Sequence, residues 1–452
     1  MTQTITEVAC TVCGCVCDDL TVTVEGGRVI RAAGACKLAE PWFLAHNTAT
    51  PPAAKVAGQP AAFADAVARA ADLLRHARAP LIYGLSRSTT EGQRAAVALA
   101  DRIGATIDTT ASTGHAPSIV ALQQVGESTC TLGEVKARAD LVVFWGTDPV
   151  ETHPRHFERY SVDPVGLFLP EGRKDRFVVV VDDHETKSAR HADLFISVPH
   201  NRDWEALWGL RLLVKGKKWA GILNPPTPDS EKGGGDKPDA GAHSLPQAEE
   251  KLRDLAARMK ACKFGIVFFG AGLTRRPLAH RTIEALLQLV TDLNAHTRFY
   301  ARRMRRYGDV AGADSVLAWQ TGYPFGVNLA RGYPRYNPGE FTGPDLLARK
   351  EVDACVIVGS DTVADFPPSA LAHLRTIPVV LLDSPGNQSP VAADVKFTTA
   401  VYGIHRPGTA YRMDEVPIPL RVLLPTDYPS DGEVLEEMLK RVKPAGTEDI
   451  PG

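Results

Sequence analysis

Apolar residues along this chain alternate between two periods, that of one helix face and that of a short strand. From Ala61 to Ala79 they recur at Phe63, Val67, Ala70, Leu73, Leu74 and Ala77, which is helical spacing, and Pro80 stops the run. A strand-length run, Leu81 to Tyr83, follows at once. The alternation continues with a helix around Arg94 to Ile103, strands at Leu141 to Trp145 and Phe177 to Val181, and a helix from Asp203 to Val214. It resumes with a helix near Glu249 to Lys260, a strand at Gly265 to Phe269, a long helix through Ile283 to Leu293, and strands at Cys355 to Val358 and Val379 to Leu382. Strand and helix repeating in this order predict an α/β protein built on mainly parallel sheets.

The repetition breaks once. Asn224 to His243 carries Pro225-Pro226, Gly233-Gly234-Gly235 and scattered charges with almost nothing apolar to bury, the composition of a flexible surface insert. The expected division is a cysteine-rich lobe over 1–52, a first α/β domain over 53–223, the insert over 224–247, a second α/β domain over 248–417 and a C-terminal extension over 418–452.

Composition narrows the class without naming a function. At 452 residues, 44% apolar and 23% charged, the chain is long enough for two or three domains with sizeable cores. Its longest apolar runs are strand-length, far short of the ~20 residues a bilayer requires, so no membrane span is expected. A formal charge of −2 without a basic tract argues against nucleic-acid binding. Arg302 to Arg306 is the one basic cluster, and it reads either as a solvated face or as a holder of anionic groups.

Five of the eight cysteines lie near the start, and four of them, Cys10, Cys13, Cys17 and Cys36, form a spaced set. A strand at Leu20 to Val24, a turn at Gly26-Gly27 and a second strand at Arg28 to Ala32 would return Cys36 to the other three. Thiolates suit both zinc and iron-sulfur clusters. Structural zinc usually pairs two Cys-x2-4-Cys knuckles, and here Cys36 stands alone, so the spacing favours a [4Fe-4S] cluster over zinc and over free thiols. Cys15 lies inside the loop, where it could exchange as a ligand. A disulfide framework belongs to small secreted domains, whereas this chain is long and shows no signal peptide, so a cytoplasmic location is expected.

Several predicted strands end in a glycine or in a glycine with a polar partner: Gly84, Gly146-Thr147-Asp148, Gly270-Ala271-Gly272 and Gly359-Ser360-Asp361. Val181-Asp182-Asp183 places a carboxylate at another strand end. In open parallel sheets ligands sit beyond the carboxyl ends of the strands, where glycine lets backbone amides approach phosphates and an Asp accepts from a ribose. Strand-to-helix turns need glycine for backbone reasons as well, so both explanations stand.

Longer stretches narrow the choice. Cys10-Thr-Val-Cys13-Gly-Cys-Val-Cys17-Asp-Asp-Leu20, Cys130-Thr-Leu-Gly-Glu-Val135, Trp145-Gly-Thr-Asp-Pro149 and His153-Pro-Arg-His156 resemble the B subunit of formylmethanofuran dehydrogenase, within the molybdopterin oxidoreductase superfamily. So do Trp319-Gln-Thr-Gly-Tyr-Pro-Phe325, Arg331-Gly-Tyr-Pro-Arg-Tyr-Asn-Pro338 and Thr409-Ala-Tyr-Arg-Met-Asp414. The resemblance implies two Rossmann-like parallel-sheet domains behind a cluster-binding hairpin lobe, without the family's C-terminal β-barrel, which a separate subunit would supply. It implies Cys10, Cys13, Cys17 and Cys36 as cluster ligands and Lys37 between cluster and pterin. For a molybdopterin or tungstopterin dinucleotide the candidate contacts are the strand-end residues Gly146, Thr147, Asp148, Asp182, Gly270, Gly272, Gly359 and Asp361. His115 and Arg305 match residues beside the metal.

One departure matters. The family's metal-binding cysteine or selenocysteine precedes a histidine, and here that run reads Ser112-Thr113-Gly114-His115-Ala116-Pro117. Gly114 has no side chain to coordinate molybdenum or tungsten. Cys262 and Cys355 flank or lie within strands and read as packing thiols. The resemblance therefore points to the B subunit of a formyltransferase/hydrolase complex, a non-redox relative that releases formate in one-carbon metabolism and works with A, C and D type subunits. The alternative is a redox-active subunit of a molybdenum or tungsten formylmethanofuran dehydrogenase.

Overall fold

A computed structural model describes residues 2–46, 50–219 and 245–442. The chain divides into two compact units, one formed by Met1–Ala116 with Arg305–Gly452, the other by Pro117–Met304.

The second unit is a five-stranded parallel sheet in the order Leu194–Ser197, Phe177–Asp182, Leu141–Trp145, Phe264–Phe269, Arg298–Arg303. Every residue of Leu141–Trp145 and Phe264–Phe269 is buried, as a sheet covered on both faces requires. Leu141, Val143 and Trp145 point to one face, into a core with Leu207 and Leu210 of the helix Asp203–Val214, Leu252 and Leu255 of Leu245–Ala261, and Leu286 and Val290 of Ala279–Leu293. In the last helix Ile283, Leu286, Leu287, Val290 and Leu293 recur every three or four residues, which fixes the buried stripe.

The first unit holds a nine-stranded sheet. Its central strands Thr106–Thr109, Pro80–Gly84, Ala354–Val358, Val379–Asp383 and Val395–Thr398 run parallel. Short antiparallel strands extend both edges. On one face lie Phe63–His76, Thr90–Ile103, Val310–Thr321 and Asp431–Arg441; Gly343–Ala348 and Pro368–Leu374 cover the other. Beside this sheet the chain start forms three antiparallel strands, Thr2–Val8, Leu20–Glu25 and Arg28–Ala33. Gly26 and Gly27 have φ of 57° and 76°, the left-handed pair that a two-residue hairpin turn demands.

The α/β class and the parallel sheets agree with the apolar pattern. The expected consecutive halves do not appear: Phe264–Phe269 pairs with Leu141–Trp145, and Ala354–Val358 pairs with Pro80–Gly84. Strand pairing is set by buried faces far apart in sequence, so chain order alone misplaces the division. The insert expected at 224–247 lies almost wholly outside the described residues, as does the tail after Val442. Among the described residues no helix is long and apolar enough to cross a membrane.

Candidate functional site

The four cysteines named above meet in the first unit. Cys10, Cys13 and Cys17 are buried and Cys36 is half-buried. The loop closes on itself where Cys10 N–H donates to the Cys17 carbonyl at 2.8 Å and Val16 N–H to the Cys13 carbonyl at 3.1 Å. Val16 adopts a left-handed φ of 36°, a strained conformation for a β-branched residue. Burial pushes the Cys10 thiol well up, and Cys13, Cys17 and Cys36 add to it, which places all four within electrostatic reach. Cys15, also buried, is a free thiol within hydrogen-bonding reach of Cys13 and Cys17. Such a nest resists holding several thiolates unless a cation neutralises them. Among the described residues the one group of three ligand atoms within 4.8 Å of one another is Asp182, Asp183 and His184; no three cysteine sulfurs meet that limit.

Two glycines fix the loop in place. A Cβ on Gly14 would lie 2.4 Å from the Arg305 carbonyl oxygen, and one on Gly308 would lie 2.0 Å from the Thr11 carbonyl oxygen. Backbone therefore meets backbone at both points, and Gly14 N–H donates to Arg305 O at 3.2 Å while Met413 N–H donates to Gly14 O at 2.8 Å. Arg87 reinforces the contact: Nη1 reaches the carbonyls of Thr11 and Val12 at 3.0 and 3.3 Å, and Nε and Nη2 grip Asp361 at 2.9 and 2.7 Å.

Arg305 is buried and donates to Asp314 at 2.6 Å; Asp314 also accepts from Thr109 at 2.8 Å. Next along, buried Asp309 accepts from Tyr411 N–H at 2.6 Å, Gln93 at 2.9 Å and Gly312 N–H at 3.1 Å, and burial lifts its carboxyl to about 8. Gly114 ends the short helix Ala111–Gly114, and a Cβ there would meet nothing within 4 Å. No neighbouring side chain occupies that position. His115 is buried beside it, and Lys37 is exposed.

Gly359 and Asp361 line a cavity beyond the carboxyl ends of Ala354–Val358 and Val379–Asp383, with Thr11 of the cysteine loop, Trp42, Arg87 and Asp383. Asp383 accepts from Ser360 and Asn387, and burial raises its carboxyl. Sequence reasoning passed over Arg87, Asp309 and Asp383. Asp383 carried the signal that picked out Asp182, a carboxylate closing an apolar strand; Arg87 lies just after Gly84, a glycine already singled out.

The remaining expected cofactor residues lie in the second unit. Gly146 has φ 59°, and a Cβ on it would strike Leu273 at 2.6 Å and the Gly272 Cα at 3.0 Å; one on Gly270 would strike Thr147 at 2.7 Å. These glycines let two strand-end turns pack on each other. Asp148 accepts from the N–H groups of Lys187 and Ser188, both at 3.1 Å. Asp182 is raised to about 6, first by burial and then by its bond to Asp183. Burial pushes Asp183 up too, but bonds from His184, His200 and Arg276 outweigh it and hold that carboxyl below its ordinary range.

The arginine cluster is not a solvated face. Arg302, Arg303 and Arg305 are buried, with Arg302 donating to the Cys130 carbonyl at 2.7 Å and Arg303 paired to Glu127 at 2.9 Å; only Arg306 is exposed, against Asp365. Cys355 is buried within its strand, and Cys262 donates to the Met259 carbonyl, as packing thiols do.

No family model matches the chain. It is 38% identical over 98% of its length to the B subunit of tungsten-containing formylmethanofuran dehydrogenase 2 of Methanocaldococcus jannaschii, covering 99% of that protein. Its identity to the Methanococcus maripaludis protein of the same name is 37%, over 96% of this chain and 98% of that one. The B subunit of the Methylorubrum extorquens formyltransferase/hydrolase complex is 26% identical over 68% of this chain and 75% of its own length. The crystal structure of that complex with methylofuran matches 86% of this chain and 98% of its own with a TM-score of 0.67 and 23% identity. Acetylene hydratase from Pelobacter acetylenicus matches 96% of this chain and 69% of its own with a TM-score of 0.64 and 11% identity. These two show a common fold.

Proposed function

This chain belongs to the family of formylmethanofuran dehydrogenase B subunits, and from that premise we propose that it is the non-redox B subunit of a formyltransferase/hydrolase complex. It works in the cytoplasm with A, C and D type subunits, which carry the formyl chemistry of one-carbon metabolism and release formate. The observation behind the reading is Gly114: the position of the family's tungsten or molybdenum ligand has no side chain, and open space surrounds it. The residues present do not fit a protein-ligated tungsten or molybdenum, and no step is assigned to either.

The spacing of Cys10, Cys13, Cys17 and Cys36 and their gathering in one nest support a [4Fe-4S] cluster held by these four. Such a cluster can carry an electron, but without a redox partner its part is to cross-link the loop. Arg87, Gly14 and Gly308 then hold the cross-linked loop against the segment from Arg305 to Asp309. Lys37 stays at the surface in this reading. Gly146, Gly270 and Gly272 serve turn packing, and Asp148, Asp182 and Asp361 serve internal bonds, rather than a pterin. His115 and Arg305 are likewise packing residues here, with no catalytic part.

A redox reading has two observations in its favour, the intact set of four cysteines and the 38% identity to a tungsten-containing relative along nearly the whole chain. Activity of the purified complex separates the two readings. Formyl release as formate without viologen reduction supports the non-redox reading, and viologen-linked oxidation of the formylfuran overturns it.

A further inference from the structure

The second unit displays an apolar knob that its own core leaves uncovered. Val165, Leu167 and Phe168 are 65%, 81% and 60% exposed, within four residues of one another. This is a rigid feature. Gly166 N–H and Leu169 N–H exchange bonds with each other's carbonyls at 3.0 and 3.1 Å, and Phe168 N–H donates to the Ala137 carbonyl at 2.9 Å. Gly166 packs so closely on the end of the helix Leu132–Arg138 that a Cβ would lie 2.2 Å from the Lys136 carbonyl oxygen. Arg176, 3% exposed, clamps the base through the carbonyls of Pro164 at 2.6 Å and Lys136 at 2.8 Å.

At the foot of the knob lies a cavity bordered by Phe168, with three cations, Arg138, Lys263 and Arg298, and two carboxylates, Asp140 and Asp175. The carboxylates are already engaged. Asp140 accepts from the N–H groups of Lys263 and Phe264, both at 2.9 Å, and Asp175 from Glu171 N–H at 2.7 Å. Arg138 lies over the Phe168 ring at 4.9 Å, and its Nε is buried with no acceptor. The cavity thus presents cationic donors beside a fixed aromatic surface. Fixed apolar side chains exposed together are unfavourable in water and mark association surfaces, and a pre-ordered turn loses little entropy when covered.

We propose that this face docks another subunit of the complex, through a segment that sets apolar side chains over Leu167 and Phe168 and an Asp or Glu carboxylate into the cavity at Arg138, Lys263 and Arg298. The inference rests on the reading of the chain as a subunit of a multi-subunit complex. It is tested by co-purifying the complex with Leu167→Asp/Phe168→Asp and, separately, Lys263→Glu/Arg298→Glu, all exposed positions outside both cores. Each pair is expected to weaken assembly by about 30-fold or more, the loss of one hot spot, while the melting temperature of the isolated subunit stays unchanged. Hydrogen exchange at 165–169 should slow when the wild-type complex assembles. If the wild-type complex forms and neither pair weakens it, the docking face is wrong and the subunit reading stands; if no wild-type complex forms, the subunit reading itself fails. If Leu167→Asp/Phe168→Asp instead dissolves a dimer of this chain, the face joins two copies and the proposal is overturned.

Discussion

Replacing Gly308 by alanine tests how the cysteine loop is held. The added Cβ would lie 2.0 Å from the Thr11 carbonyl oxygen and 2.7 Å from its carbon, both backbone atoms that cannot rotate away. Ordinary contact begins at 3.4 Å, so the segment must withdraw by well over 1 Å. That movement strains the Gly14 to Arg305 bond and the grip of Arg87 on Thr11 and Val12. Overpacking of this kind costs roughly 1–3 kcal/mol, which lowers the melting temperature by roughly 2–6 °C for a unit of this size. Because the displaced residue follows Cys10, Gly308→Ala should also lower the iron content and the visible absorption of anaerobically purified protein. Gly133→Ala is the control: it is an exposed position of the helix Leu132–Arg138, its Cβ would meet only Thr131 at 3.7 Å, and alanine should be neutral or stabilising by up to about 1 kcal/mol. A Gly308→Ala protein with wild-type iron and an unchanged melting temperature would refute the docking argument.

Three other outcomes are expected. Cys17→Ser should lose most of its iron while Cys15→Ser keeps it, measured as iron and sulfide per chain; the reverse order would make Cys15 a ligand. Gly114→Cys should fold with an unchanged melting temperature, since its Cβ enters open space, and should show no viologen-linked activity; appearance of that activity would mean that the pterin pocket is intact. Asp309 holds its proton up to about 8, well above an unfolded carboxyl near 4. The folded state therefore binds more protons between those values, and this contribution to stability is full below about pH 4 and is lost as pH rises through 8. Denaturant titrations should show wild type losing stability relative to Asp309→Asn across that window, and parallel curves would contradict it.

Much of the second unit was legible in sequence because its strands are continuous apolar runs: Leu141–Trp145 falls where the pattern sets it, and Phe177–Asp182 and Phe264–Phe269 each fall within one residue of it. Thr2–Val8 escaped because six of its seven residues are not buried, so no alternation marks it. Val310–Thr321 escaped for the opposite reason: Val310, Ala311, Gly312, Ala313, Asp314, Val316 and Leu317 are buried, leaving no polar face to set a period. The cysteine spacing announced the nest, but not the glycines that seat it, since a close backbone approach at Gly14 and Gly308 is visible only once Arg305 and Thr11 are placed. Gly146 and Gly272 were visible as strand-end glycines, yet they lie against each other, a pairing that spans two strands and cannot be read from either turn alone.

The most direct measurement is metal and cofactor analysis of the anaerobically purified complex: iron, acid-labile sulfide, zinc, molybdenum, tungsten and oxidised-pterin fluorescence. A non-redox B subunit with a cross-linking cluster predicts about four irons with matching sulfide per chain and neither molybdenum, tungsten nor pterin. Stoichiometric tungsten or molybdenum with pterin would contradict it.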